Sequence, residues 1–133
     1  MTEYAGACLC GAVTFVVQGR FDHFYLCHCR HCQKDTGSAH AANLFSRSAR
    51  VVWHSGADAI TAFTLPGTRH GKCFCQRCGS ALPDDRVEGM LVVPAGCLDT
   101  EFAMVPDAHL FTASRAGWDD ALEAVPEFGG LPE

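Results

Sequence analysis

Nine cysteines in 133 residues are the groups with most chemistry to offer, and eight of them are grouped. They fall as Cys8-x-Cys10, Cys27-x-Cys29-x-x-Cys32 and Cys73-x-Cys75-x-x-Cys78, with Cys97 alone. Cysteines one or two residues apart rarely bridge to each other, because a disulfide needs suitably spaced Cα atoms and converging Cβ vectors. They do suit a metal ion, which gathers thiolates from one tight turn. Zinc is the default for such clusters: it is borderline-soft, redox-inert and satisfied by four sulfurs in a tetrahedron. An iron–sulfur cluster is the rival by ligand type, but the Cys-x-Cys spacings do not match ferredoxin runs.

Eight grouped thiols suggest two sites. Either both are closed four-cysteine structural sites, or one is closed and the other keeps three protein ligands and an open position. The open position is what separates catalytic from structural zinc. Spacing alone does not choose, because Cys73 can serve as an eighth ligand. If Cys73 to Cys75 is strand, their side chains share a face, which keeps that option alive. An open site with three thiolates has a formal charge of about −1, against about −2 for four. Three electron-rich sulfurs quench the metal's Lewis acidity and favour a soft fourth ligand. Such a site suits capture of a thiol as thiolate, a nucleophile towards an aldehyde carbon, better than it suits hydrolysis.

The elements that must position these turns read mostly as strand. Ala12–Val17 is β-branched and aromatic between Gly11 and Gly19, and His23–Leu26 runs straight into the Cys27 cluster. Val51–Trp53, Ile60–Thr64 and Met90–Val93 are further short strands, and His109–Phe111 is a weaker one. Asp84-Asp85-Arg86 reads as a solvated turn. Helix signals are few: Arg30 to Thr36, closed by Gly37, and Asp119 to Val125, stopped by Pro126. The Cys-x-Cys-x-x-Cys spacing occurs twice without extending into its flanks, so it is repeated site chemistry and not a duplicated domain. The expectation is one mainly β domain over residues 1–133.

Composition narrows the partners. Ten Lys plus Arg against fifteen Asp plus Glu give a net charge of −5, a poor basis for binding nucleic acid or an anionic membrane. No apolar run approaches a membrane span, and Met1-Thr2-Glu3-Tyr4 does not open a signal peptide. Free thiols then imply a reducing compartment, and cytoplasm is the expectation. No dimer patch stands out.

The motifs Gly6-x-Cys8-x-Cys10-Gly11-Ala12-Val13 and Cys27-His28-Cys29-Arg30-x-Cys32-Gln33-x-x-x-Gly37 carry a resemblance. So do Phe74-Cys75-x-x-Cys78-Gly79-Ser80 and Ala95-Gly96-x-Leu98-Asp99, with Ser114-Arg115-x-x-Trp118 and Pro126-x-Phe128 as a weaker ending. Over about residues 6–128 the chain resembles the glutathione-dependent formaldehyde-activating enzyme/centromere protein V family. The resemblance implies a β-tent fold of small antiparallel sheets organised around two zinc ions per chain. It implies that Cys8, Cys10, Cys75 and Cys78 form a structural site. It also implies that Cys27, Cys29 and Cys32 hold a second zinc whose fourth position is open. The implied activity is that of a carbon–sulfur lyase or synthase acting on thiol–aldehyde adducts, with glutathione and formaldehyde as partners. The alternative is a non-enzymatic zinc module for binding or thiol carriage, favoured if Cys73 closes the second site.

Around that site, His28, Arg30, Gln33 and Lys34 are the candidate substrate contacts. Glutathione has two carboxylates, which calls for Arg or Lys nearby. Gln33 has a second reading as a residue that holds the backbone turn, and His28 and His31 as exposed turn residues. Cys73 and Cys97 read as strand and core thiols, since free cysteine behaves as a small hydrophobe. Trp53 and Trp118 read as packing residues. His40, His54, His70 and His109 have no partner spacing and read as structural.

Overall fold

A computed structural model of the chain describes residues 2–132. The elements in order are strands β1 (Glu3–Ala7), β2 (Thr14–Gln18) and β3 (His23–Cys27), helix α1 (Arg30–Thr36), then β4 (Ala41–Ser46), β5 (Arg50–Ser55), β6 (Ile60–Thr64), β7 (Gly71–Cys75), β8 (Ala81–Leu82), β9 (Asp84–Val87), β10 (Met90–Pro94) and β11 (Ala108–Leu110). Three small sheets result, ordered β1-β2-β5, β11-β3-β4-β10-β9 and β6-β7-β8. The fold is mainly β and the pairing is antiparallel except between β11 and β3.

Alternation builds the core. In β2 the inward positions are Phe15 and Val17, and in β10 they are Leu91 and Val93. With Val13, Leu44 and Leu82 they form a cluster that also contains Cys8, Cys73, Cys75 and Cys97. The strand expected at 12–17 begins two residues later, at Thr14, and those expected at 23–26, 51–53, 60–64 and 90–93 lie within observed strands. β1 and β4 have sequences EYAGA and AANLFS, whose Ala and Gly give weak strand preference. Pairing creates them: β1 lies in register with β2 from Glu3↔Gln18 to Ala7↔Thr14. Two expectations are corrected. Asp84–Arg86 is not a solvated turn but part of β9, a short edge strand in which Arg86 donates to both Asp84 carboxylate oxygens. Asp119–Val125 is not a helix but contains only a 3-10 turn at Leu122–Ala124, entered through Ala121 at φ 50°. That segment is mostly exposed and has no apolar face packed on the core, which is what stabilises short helices.

The helix at 30–36 forms as expected. Cys29 is its N-cap, with extended backbone and a sulfur that accepts from the Cys32 N–H, and Gly37 closes it in the left-handed region at φ 67°. No described helix is long and apolar enough to cross a membrane.

The Cys8 turn is seated by a close approach. Gly6 lies under Phe15, and a Cβ there would stand 2.5 Å from the Cys97 carbonyl oxygen and 2.8 Å from Phe15 Cε2. Both neighbours are buried, so neither can retreat freely. Gly6→Ala is expected to destabilise the protein by about 1–3 kcal/mol, the usual cost of overpacking. Denaturant unfolding checks this, and an unchanged midpoint would contradict the close approach.

Candidate metal centres

Two cysteine groups converge. In the first, Cys8 and Cys10 come from the turn between β1 and β2, Cys75 is the last residue of β7 and Cys78 lies in the turn after it. The Cys8 and Cys10 sulfurs are 3.6 Å apart, and Cys10 and Cys75 are 3.9 Å apart across 65 residues. A tetrahedral zinc with bonds of about 2.3 Å has sulfur–sulfur edges of roughly 3.8 Å, so the donor set fits such an ion. All nine cysteines are free thiols. Local hydrogen bonds fix both turns. The Val13 N–H donates to Cys8 Sγ, and the Cys75 and Gly79 N–H groups close the second turn onto Ser80 and Cys75 carbonyls.

The second group is Cys27, Cys29 and Cys32, whose sulfurs also lie within 4.8 Å of one another. Cys27 ends β3, Cys29 caps α1 and Cys32 is in the first turn of α1. The chain bends between strand and helix, and the bend lets three sulfurs face one point. Cys73 belongs to neither group among the described residues. It is a buried strand residue beside Asp84, as the reading of a core thiol expected, and Cys97 is likewise buried at the end of a 3-10 turn after β10.

The thiols of each group do not ionise alike. The N–H groups of Ser80 and Cys10 pull Cys78 down to about 6. At Cys10 the Ala12 N–H favours the thiolate, yet the adjoining Cys8 and other thiols drive it up to about 11. Burial opposes ionisation of Cys29, but the Cys32 N–H and the two neighbouring thiols outweigh it and lower Cys29. Burial raises Cys27 and Cys32. One thiolate in each group suppresses the next, and a bound cation is what allows all of them to ionise together.

This arrangement can be set beside known proteins. The sequence pattern described as "Glutathione-dependent formaldehyde-activating enzyme" matches residues 3–114. The chain belongs to the glutathione-dependent formaldehyde-activating enzyme family. The crystal structure of a Rhodobacter sphaeroides protein is similar in fold, with a TM-score of 0.53 and 27% identity, covering 79% of this chain and 98% of that one. The family match takes in all nine cysteines and ends at Ser114, before the Arg115, Trp118 and Phe128 ending.

Around the family's Cys27–Cys32 loop, the remaining candidates separate. Gln33 is spent on holding the turn: its Nε2 donates to the His28 carbonyl at 2.7 Å and to the Ser114 carbonyl at 2.8 Å, and Arg30 donates to its Oε1. Arg30 is exposed on α1. Lys34 lines a cavity of about 310 Å³ with His31, Asp35, Phe63, His70 and Lys72. His28 is wholly buried, which removes the reading of an exposed turn residue. Its ring meets His109 and Asp119, whereas Cys27 and Cys29 converge with Cys32. Burial, together with the nearby Arg115 cation, holds its imidazole below the usual value. Trp53 packs edge-on against Phe15, whereas Trp118 is 64% exposed and does not pack as expected.

Sequence reasoning left His40 and His109 as structural and gave Asp119 no role, yet all three meet His28. The only local signal was the i, i+4 pair Arg115 and Asp119, whose ion pair is 3.3 Å long. In metal-free protein, iodoacetamide is expected to alkylate Cys78 first, at a rate rising through about pH 6. Cys73, raised to about 11 by burial and Asp84, should resist until unfolding. Mass spectrometry after short labelling checks the order, and early labelling of Cys73 would overturn it.

Proposed function

We propose that the protein is a zinc-dependent carbon–sulfur lyase or synthase acting on thiol–aldehyde adducts, with glutathione and formaldehyde as the pair its family name supplies. The observation that carries this reading is the asymmetry between the two cysteine groups: four thiols converge in one and three in the other, with Cys73 kept apart in the core. In this reading Cys8, Cys10, Cys75 and Cys78 hold a structural zinc, and Cys27, Cys29 and Cys32 hold a second. The whole chain acts as one domain built around the pair.

A zinc at the three-cysteine site supplies an open, thiophilic position where an incoming thiol is held as thiolate beside its aldehyde partner. The protein's own contribution is positional. Cys27, Cys29 and Cys32 are ligands and not nucleophiles, fixed by the end of β3 and the capped start of α1. Gln33 locks the loop from behind through two carbonyls. On the same helix, Lys34 and His31 face the neighbouring cavity, and Lys72 enters it from β7. Lys34, which has no ion-pair partner among the described residues, suits a carboxylate of a peptide thiol, while Phe63 offers an apolar wall. Asp35, paired with Lys72 and His70, suits the ammonium end.

The test is formation of S-hydroxymethylglutathione followed by NMR against the uncatalysed background. Cys29→Ser is expected to lose one zinc equivalent by elemental analysis and to fall to background rate while keeping the wild-type circular dichroism spectrum. Lys34→Ala is expected to keep both zincs and raise the glutathione KM several-fold with little change in kcat. Wild type no faster than background, yet binding glutathione, would replace the lyase by a thiol-binding module.

A further inference from the structure

On the far side of the Cys27–Cys32 loop lies a polar cluster that the thiol chemistry does not use. His28 sits at its centre with 0% exposure. Its Nε2 is 2.8 Å from His109 Nδ1. Arg115 Nη2 approaches the same His109 Nδ1 at 3.2 Å, and a guanidinium can only donate. His109 Nδ1 is therefore an acceptor, and the proton between the two rings belongs to His28 Nε2. In the neutral ring this leaves His28 Nδ1 as a bare lone pair. That lone pair faces Asp119 Oδ2 at 3.3 Å, a second atom that can only accept when ionised. A ring nitrogen of His40 completes the group, with one donor atom from each of His28, His40 and Asp119 within 4.8 Å of the others. His28 Nδ1 and His40 Nδ1 are the two buried side-chain nitrogens without a hydrogen-bond partner among the described residues.

Two acceptors facing each other in a buried place, with a third unpartnered imidazole nitrogen beside them, are unfavourable unless something positive lies between them. Arg115 Nε lies 3.3 Å from the same Asp119 Oδ2 and its Nη2 is 3.2 Å from His109 Nδ1, so it offsets the carboxylate charge but leaves His28 Nδ1 and His40 Nδ1 without a partner. The 3.3 Å separation of His28 Nδ1 and Asp119 Oδ2 matches the edge of a tetrahedron with bonds of roughly 2.0–2.1 Å, the range for nitrogen and oxygen on zinc. Two imidazoles, one carboxylate and an open position make a donor set for a divalent first-row transition metal. The surrounding contacts resemble the outer support of such sites: His28 is oriented by His109, and Asp119 by Arg115. The Asp119 side chain is 10% exposed and His40 is partly exposed, which leaves a route for entry.

We infer that His28, His40 and Asp119 form a metal site for a divalent transition ion, separate from the two cysteine sites and back-to-back with the Cys27–Cys32 loop. The experiment is stepwise loading of the metal-free full chain with cobalt(II), read by elemental analysis and by absorption. Cobalt in the cysteine sites gives intense thiolate charge-transfer bands. Cobalt in this site adds visible ligand-field absorption and no charge transfer. Wild type is expected to take up three equivalents, the nitrogen–oxygen one adding no thiolate band. Asp119→Asn and His40→Ala are each expected to lose that equivalent and to keep the thiolate bands, which also report that the loop is still folded. Two outcomes overturn the inference: no uptake beyond what the thiolate bands account for, or a further equivalent that both variants retain, which places it on other histidines such as the His31 and His70 pair. The first outcome would leave a proton between His28 and Asp119, visible as a doubly protonated His28 ring by nitrogen NMR. An empty three-cysteine site would remove one thiolate step and leave this result intact, so the lyase reading and the present one fail separately.

Discussion

Four sulfurs drawn from two distant turns must sit at tetrahedral spacing, and four like charges at that spacing repel. Two unit charges about 4 Å apart interact by roughly 4 kcal/mol at the effective dielectric of a protein surface. The thiols show the consequence: Cys78 ionises easily, and Cys10 beside it is driven far up. A cation reverses the sign of the interaction. The binding free energy of a structural zinc, on the order of 10–16 kcal/mol, is as large as the whole stability of an ordinary domain. Cys8 and Cys75 are also core residues, so the same contact joins the β1-β2-β5 sheet to the β6-β7-β8 sheet. Sheets this small cannot bury much apolar surface alone, and the sulfur cluster stands where the β1–β2 turn meets the end of β7.

The Cys-x-Cys-x-x-Cys spacing occurs twice, yet it gathers three sulfurs once and two sulfurs once. The elements explain the difference. Cys73 and Cys75 both lie inside β7, where residues two apart are separated by about 6.6–6.8 Å. That is nearly twice the sulfur–sulfur edge of a zinc tetrahedron. Sharing a face is therefore not enough, and Cys73 stays in the core beside Asp84. Cys27 is the last residue of β3, and Cys29 already caps the helix, so the backbone turns between them. The bend shortens the distance and brings Cys32 round on the first helical turn. Identical spacing gives a triad in one place and half of a tetrad in the other because the strand ends at the first cysteine of one copy and at the second cysteine of the other.

What could be read from the chain was local. The helix at 30–36 was legible because its Gly37 stop and its metal-turn start are encoded within eight residues. The strands at 14–18, 60–64 and 90–94 were legible because β-branched residues recur with turn residues at either end. β1 and β4 escaped because alanine and glycine carry little strand preference and the partner strand supplies the order. β11 escaped in part because its pairing with β3 is parallel and joins residues some eighty positions apart, such as His109 and Leu26. The same distance hid the histidine cluster. His28, His40, His109 and Asp119 have no mutual spacing that a motif could express, and each alone is an ordinary polar residue. Cysteine pairs announce themselves because their ligands share a turn; this cluster is assembled by β11 and the segment after it.

These features place two kinds of chemistry on opposite sides of one short stretch. Along Cys27-His28-Cys29 the two sulfurs converge with Cys32, while the imidazole between them is buried against His109 and Asp119. Gln33 then ties the stretch to Ser114, and the His28 N–H donates to the Leu110 carbonyl, so β11 and the chain after it press on the loop from behind. Arg115 and Asp119 extend that pressure into the polar cluster, beyond the end of the family match. The sulfur side is set by residues the family pattern includes, whereas its backing is completed by residues outside it. Three sulfurs from one loop converge without a fourth among the described residues, so the place of each rests on the loop backbone. Gln33, bound to the His28 and Ser114 carbonyls, and the His28 N–H, bound to the Leu110 carbonyl, are the contacts that hold that backbone.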